Sequence, residues 1–149
     1  MTNNPIAELR AVRPDLFRAP DFWQTELEQV QTVLDNARKG VVTIIGRSAG
    51  GREIPAIAYG SFEPQQPTAT ISSAMASDRP EAFYDPSRRT RPAVVVIGAI
   101  HGGETEGIAT CLDLVSILES GKDRRDVPRG DLVSLLERVR LVIVPCLNP

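Results

Sequence analysis

Residues 93–107 read AVVVIGAIHGGETEG, an apolar run followed by a glycine-rich segment. Its first five residues are apolar, mostly β-branched, and bounded by Pro92 and Gly98, which predicts a buried strand of the kind found in parallel sheets. Apolar residues then recur at three- and four-residue steps, which predicts a helix from about Glu104 to Glu119. In open α/β sheets, ligands bind at the carboxyl ends of strands. We therefore expect a functional site at this junction.

Three further strands are predicted around this junction. An apolar run at 140–144 follows two predicted helices, so it should pair in parallel with the strand at 93–97. VVTII at 41–45 and EIPAIAY at 53–59, separated by a glycine-rich turn, predict an antiparallel hairpin with Pro55 at an edge or a bulge. The predicted fold is a mixed, mostly parallel α/β sheet with helices on both faces.

A helix is also predicted to begin at Asp21. This residue suits the N-cap position, and Gln24 three residues later completes a capping-box pattern. Phe22 and Trp23 share a helical face with the apolar residues that follow, which favours a place in the core over a partner-binding surface. Gly40 suits the position after the helix C-terminus.

The segment 61–92 is the part of the chain least suited to regular structure. It is rich in proline, serine, threonine and aspartate, and we interpret it as an exposed loop insertion with a short strand at Thr68–Ser72. Further along, Asp131 is expected to cap a short helix before the strand at 140–144.

Composition excludes several functional classes. The chain has 149 residues, 42% hydrophobic and 24% charged, which fits one globular domain. Its net charge of −2 leaves no basic surface for nucleic acid. There is no apolar run of about 20 residues for a membrane span and no signal peptide, so a cytoplasmic location is expected. Cys111 and Cys146 lie among apolar residues and are interpreted as buried thiols.

The residues most suggestive of chemistry are His101 and Glu104. They follow the predicted buried strand, Gly102 and Gly103 separate them, and His101 is the only histidine in the chain. An imidazole nitrogen and a carboxylate are ligand types that zinc takes in hydrolytic sites. The same letters also fit a helix-capping glutamate beside an exposed histidine, but the position at a strand end favours metal ligation.

Three segments in order resemble the zinc carboxypeptidase family. GAIHGGETEG at 98–107 resembles its H-x-x-E zinc segment, and GRSAGGREI at 46–54 resembles its hairpin turn G-x-S-x-x-G-R-x-I. VIVPCLNP at 142–149 resembles the strand and turn that lead into its N-P-D-G motif. The resemblance covers roughly residues 41–149, with 61–92 as an insertion.

This resemblance implies a zinc-dependent hydrolase that cleaves an amide or peptide bond with metal-activated water. His101 and Glu104 would bind Zn²⁺, with Glu104 bidentate, while a third ligand and a general-base glutamate would lie downstream of Pro149. No catalytic residue is assigned within this chain. We therefore expect residues 1–149 to be the N-terminal part of one catalytic domain, truncated after its fourth or fifth strand and inactive alone.

Alternatives remain for the function. An amidohydrolase of the aspartoacylase and succinylglutamate desuccinylase type also carries H-x-x-E, and a non-catalytic module with a degenerate site would keep the same fold. Many zinc carboxypeptidases have arginine where this chain has Gly103, so the substrate stays open between peptides and acyl-amino acids. Residues 46–50 match G-x-S-x-G, but a strand-like segment follows where a serine-hydrolase elbow needs a helix. We expect Arg52 in this turn to pair with an acidic neighbour.

Overall fold

The computed structural model describes residues 5–60, 68–85, 87 and 91–149, and within them four strands form one sheet. The strands are β1 (Val41–Arg47), β2 (Glu53–Tyr59), β3 (Ala93–Ile97) and β4 (Arg140–Val144). The helices are α1 (Pro5–Val12), α2 (Leu27–Asp35), α3 (Ile71–Ala76), α4 (Thr105–Ser120) and α5 (Gly130–Leu136). Two short 3₁₀ turns lie at Pro14–Phe17 and Pro80–Ala82. The strand order is β1-β2-β4-β3, which confirms the predicted mixed α/β sheet.

Strand pairing follows the predicted pattern. The hairpin of β1 and β2 is antiparallel, and its register shifts between Ile44 and Gly46, where Ile44 lies opposite Pro55. This bulge accommodates the proline, as expected. β3 and β4 pair in parallel, which confirms the predicted crossover. β2 joins the hairpin to β4 in antiparallel register, so two of the three pairings described are antiparallel, and the described sheet is mixed but not mostly parallel as predicted.

The core forms where α4 packs against α2 and the central strands. The apolar face predicted for α4 is buried, and Gly121 ends the helix with a φ of 81°. Ile57 of β2 and Ile143 of β4 lie side by side in register and are fully buried. The cluster comprises Val30, Leu34, Ile57, Ala99, Ile108, Cys111, Leu112, Val115, Leu118, Leu141, Ile143 and Cys146.

The prediction that Ala93–Ile97 is a buried strand is wrong in one respect. The strand has the predicted bounds, but Val94, Val95 and Ile97 are 41%, 59% and 42% exposed. The reason is its position, since β3 is the last strand of the sheet within the described residues and only β4 flanks it. Apolar composition alone does not distinguish a central strand from an edge strand.

α2 begins at Leu27, and its N-cap, Glu26, lies five residues after the predicted Asp21. The helix ends at Asp35 with Asn36 as its C-cap, so the prediction that Gly40 follows the helix C-terminus is wrong. The side chain of Gln29 accepts the backbone N–H groups of Thr25 and Glu26 at 2.8 and 3.0 Å, which satisfies donors at the helix start. Phe22 and Trp23 therefore precede the helix and are 37% and 40% exposed. Their assignment to the core was wrong.

The segment 61–92 contains a helix where a strand was predicted. Residues 71–76 form α3, and the hydroxyl of Thr70 accepts the N–H of Ser73 at 3.2 Å as its N-cap. The expected strand at Thr68–Ser72 is therefore wrong. Residues 61–67, 86 and 88–90 of the expected insertion lie outside the described residues.

Both cysteines are buried and free, as expected, and burial raises the pKa of the Cys111 thiol to about 11. Within the described ranges, no helix has the length and apolarity needed to cross a bilayer. α5 begins at Gly130, one residue before the expected Asp131 cap.

Candidate metal centre

The site is built where β3 and β4 end, and glycine is required there. A Cβ on Gly98 would lie 2.4 Å from the carbonyl oxygen of Pro145 and 2.7 Å from that of Gly107. Neither backbone atom can yield as a flexible side chain would. The absence of a side chain at Gly98 therefore lets the end of β3 lie against both the first turn of α4 and the segment after β4.

Backbone hydrogen bonds continue the parallel pairing beyond the two strands. The N–H of Gly98 donates to the oxygen of Val144 at 2.8 Å, and the N–H of Leu147 donates to Gly98 at 3.0 Å. The N–H of Asn148 donates to the oxygen of Ala99 at 3.1 Å. The segment 145–148 is thus held beside the loop that follows β3, as expected for strand ends that share one edge of the sheet.

His101 and Glu104 are brought together by this loop. Nδ1 of His101 lies 2.7 Å from Oε1 of Glu104, and the backbone N–H of His101 donates to Oε2 at 3.1 Å. The N–H of Glu104 donates in turn to the oxygen of His101 at 3.0 Å, which closes a tight turn. Both side chains are open to solvent, with exposed fractions of 80% and 48%. The structure therefore holds the side chains of the two candidate ligands next to each other in an accessible position.

This contact shifts the pKa of both groups. The hydrogen bond and charge of Glu104 raise the pKa of the His101 imidazole. The hydrogen bonds from the His101 side chain and backbone lower the pKa of Glu104. The carboxylate is thus kept in its ionised form, which is the form that ligates a metal. The raised pKa of His101 favours the protonated imidazole, which must release a proton before its nitrogen can ligate a metal.

The donor set fits part of a zinc site. One imidazole nitrogen and one carboxylate at hydrogen-bond distance can converge on a cation, and a catalytic zinc takes three protein ligands with an open position. In the part of the chain that the structure describes, no group of three or more His, Cys, Asp or Glu side chains could hold a metal. The described residues thus supply two candidate ligand groups.

One cavity lies at the same edge of the sheet as the site. Two others, of about 360 and 300 Å³, flank α4. β2 runs antiparallel to β4, so the start of β2 and the end of β4 share this edge. The cavity at this edge measures about 430 Å³. Its lining is formed by Leu27, Glu28, Val30, Gln31, Arg52, Glu53, Pro55, Cys146 and Pro149.

The glycine-rich turn between β1 and β2 has a structural role. Ser48 donates its backbone N–H to the oxygen of Arg52 at 2.8 Å, and its hydroxyl accepts the N–H of Arg52 at 3.2 Å. The Ser48 side chain therefore closes the hairpin, in line with the rejection of a nucleophilic serine. The ion pair of this turn joins Arg47 to Glu53, and among the described residues Arg52 forms no salt bridge, contrary to expectation.

The sequence profile of the zinc carboxypeptidase family matches residues 28–149, which is most of the chain and includes the site. The chain belongs to the zinc carboxypeptidase family. Its fold is similar to that of the metallo-carboxypeptidase from Burkholderia cenocepacia, with a TM-score of 0.56 and 21% sequence identity. The similarity covers 84% of this chain and 27% of that protein's chain. No curated protein sequence matches this chain significantly.

Membership of the zinc carboxypeptidase family agrees with the predicted family, hydrolase class and metal. Sequence reasoning found both candidate ligands but missed the residues that place them. Ala99 has a φ of 44°, and Gly98 and Gly107 touch backbone to backbone. Both glycines are evident in the sequence, but only the folded structure reveals which atoms they approach.

Proposed function

We propose that His101 and Glu104 are two of the ligands of a catalytic zinc ion. The observation that carries this proposal is the 2.7 Å approach of Nδ1 of His101 to Oε1 of Glu104 at the carboxyl end of β3. An exposed helix-capping glutamate would not require a histidine at this distance. Membership of the zinc carboxypeptidase family supports the same assignment.

The proposed reaction is hydrolysis of an amide bond in a peptide or an acyl-amino acid. Zinc, when bound, would supply Lewis-acid polarisation of the scissile carbonyl and activation of water. The chain's own residues prepare the site. Without metal, Glu104 holds the His101 ring through the hydrogen bond. The lowered pKa of Glu104 keeps its carboxylate ionised. Gly102 and Gly103 have no side chain to obstruct a substrate, and a Cβ on Gly103 would meet nothing within 4 Å.

The third ligand and the general base are proposed to lie outside these 149 residues. The chain has one histidine, and the similarity spans 27% of the length of the Burkholderia cenocepacia structure. We propose that residues 1–149 contribute the N-terminal part of one catalytic domain. The isolated chain should then bind zinc weakly and show no turnover, since two ligands leave the site incomplete. Robust hydrolysis by the isolated chain would contradict this part of the proposal.

The test is the metal content of the protein purified at its full natural length, measured by elemental mass spectrometry. We expect about one zinc per chain in the wild type and loss of zinc in His101→Ala and Glu104→Ala. Glu106→Ala, an exposed carboxylate in the first turn of α4, is the matched control and should keep the metal. A folded wild type without zinc, or equal zinc in all variants, would overturn the assignment.

Substrate class is tested on the same preparations. A panel of peptides with free C-termini and a panel of acyl-amino acids should show which class is hydrolysed. Activity toward either panel should disappear in His101→Ala and persist in Glu106→Ala. If zinc is bound as expected and neither panel is hydrolysed, the metal site stands but the proposed reaction fails.

A further inference from the structure

Ala99 adopts a backbone conformation that alanine disfavours. Its φ is 44°, in the left-handed region, where the Cβ of an L-residue crowds the backbone. Among the described residues, the other non-glycine positions with positive φ are Asp78 and Asp126. Aspartate tolerates this region because its short polar side chain can hydrogen-bond locally, but alanine has no such compensation. Ala99 is therefore a strained position.

The surrounding structure holds Ala99 in this conformation. Its side chain is 3% exposed and belongs to the core cluster. Its carbonyl accepts the N–H of Asn148 at 3.1 Å, and the preceding residue, Gly98, is hydrogen-bonded to Val144 and Leu147. Strain of this kind persists only where neighbouring contacts over-determine the backbone, and such positions cluster at functional sites.

Ala99 lies where the chain leaves the strand direction and enters the loop that carries the candidate ligands. Ile100 and His101, which follow directly, are exposed, whereas Gly98 and Ala99 are buried. The left-handed backbone at Ala99 therefore sets the direction in which the chain leaves the core, two residues before His101.

We propose that Ala99 is a positioning residue, whose strained backbone fixes the loop 100–104 so that His101 and Glu104 face each other. This inference rests on the proposed function, because zinc ligation is the reason that His101 and Glu104 need to face each other. Glycine would adopt the same φ without strain, but it would also open other conformations to the loop. Alanine limits the loop to the one arrangement that the buried methyl and the Asn148 hydrogen bond allow.

The proposal predicts that Ala99→Gly separates stability from ligand geometry. Relief of strain offsets loss of the buried methyl, so the thermal midpoint should stay within about 2 °C of wild type. Ala109→Gly is the matched control, because Ala109 is also buried but lies within α4. It should lower the midpoint by roughly 4 °C, since glycine weakens a helix interior and leaves a small void.

Ligand geometry is measured in the full-length protein through the ¹⁵N NMR signals of the His101 imidazole, which are assigned as those that disappear in His101→Ala. Without metal, the Nδ1 signal of Ala99→Gly should move from its wild-type position toward that of Glu104→Ala, which cannot form the hydrogen bond. In zinc titrations of the full-length protein, Ala99→Gly should require a roughly 3- to 10-fold higher zinc concentration for half-saturation. The reason is that the loop adopts the zinc-binding conformation in a smaller fraction of the molecules. Ala109→Gly should match wild type in both measurements.

The outcomes separate this inference from the proposed function. If Ala99→Gly gives the wild-type Nδ1 signal and zinc affinity, or loses as much stability as Ala109→Gly, Ala99 is not a strained positioning residue. If zinc leaves His101 of the wild type unaffected, the metal assignment fails. The metal-free Nδ1 comparison then still decides whether Ala99 positions the loop.

Discussion

Gly98 shows how a single absent side chain can determine the site. Its Cβ position is 2.4 Å from the Pro145 carbonyl oxygen, so Gly98→Ala must push apart the ends of β3 and β4. We expect a loss of roughly 2 kcal/mol in the free energy of unfolding, as for other overpacked sites. Urea denaturation followed by circular dichroism measures it. Gly103→Ala, where a Cβ would meet nothing within 4 Å, should change the midpoint little; an equal loss in both variants would contradict the close-packing argument.

Asp123 is a buried carboxylate that organises the loop between α4 and α5. Its exposed fraction is 3%, and it accepts the N–H groups of Arg125 and Val127 at 2.9 and 3.0 Å. The Arg129 guanidinium donates to its second oxygen at 2.8 Å. Burial raises the pKa of Asp123, but these bonds outweigh burial and lower the pKa to about 2.

A pH dependence follows from this lowered pKa. An aspartate in the unfolded chain titrates near 3.8, so the stabilisation by Asp123 is complete above that pH and is lost as pH falls toward 2. Asp123→Asn should have a lower urea midpoint than wild type at pH 7 and a smaller further decrease between pH 4.5 and 2. Asp78→Asn, an exposed control, should follow the wild-type profile. Parallel profiles for wild type and Asp123→Asn would show that this carboxylate is not the source of the loss of stability at low pH.

At the residue scale, sequence reasoning identified the two candidate ligands but missed the residues that position them. His101 and Glu104 were recognisable because a strand end is a functional location and their side chains are zinc ligand types. Ala99 could not be recognised, because its φ depends on hydrogen bonds to a segment nearly fifty residues later. The role of Asp123 was equally hidden, since its partners follow it in a loop that reads only as charged.

At the element scale, Glu119 joins α4 to the start of β1. Its carboxylate accepts the backbone N–H groups of Arg38, Lys39 and Gly40 at 2.8, 3.0 and 3.0 Å. The hydroxyl of Tyr59 donates to it at 2.9 Å. These bonds connect the end of α4 to the segment between α2 and β1 and to β2.

Glu119→Gln should therefore destabilise the packing of these elements. A side-chain amide has one acceptor oxygen, and its NH₂ group would face backbone donors, so we expect a loss of about 2 kcal/mol in the free energy of unfolding. Hydrogen exchange of the β1 amides should increase in the same variant. Glu137→Gln, at an exposed carboxylate after α5, should leave both measurements unchanged. A loss of equal size in the control would mean that removal of one negative charge destabilises the protein, and not the loss of the hydrogen bonds that Glu119 accepts.

Strands were predicted better than helix starts. The bounds of β2, β3 and β4 match the predictions because apolar and β-branched runs between turn residues leave little choice. The start of α2 was misplaced because Asp21 and Gln24 fit a capping box as well as the observed Glu26 and Gln29 do. Sequence could not decide which of two similar caps would be used, since packing of the apolar face decides it.

At the scale of the whole molecule, the class of the fold was predictable and the exposure of its strands was not. Alternation of strands and helices gave the parallel pair of β3 and β4, and the glycine-rich turn gave the hairpin. The strand order β1-β2-β4-β3 places two apolar strands at the ends of the described sheet. This order depends on long-range pairing that local patterns do not encode.

The exposed strand β3 predicts self-association of the 149-residue chain. Val95 is 59% exposed on this strand, and apolar edge strands pair readily with other chains. We expect association that increases with protein concentration in sedimentation velocity. Val95→Lys should weaken it about tenfold, because it removes an apolar contact and places a charge on the edge.

The control for this prediction is Leu135→Lys, which makes the same kind of change on α5 at a side chain that is 56% exposed. If association arises from exposed apolar surface in general, both variants should weaken it equally. If it arises from strand pairing, only Val95→Lys should do so, and the associated wild type should also contain more β structure by infrared spectroscopy. A monomeric wild type at all concentrations would contradict the prediction and would mean that the twist of β3 or the neighbouring charges already prevent pairing.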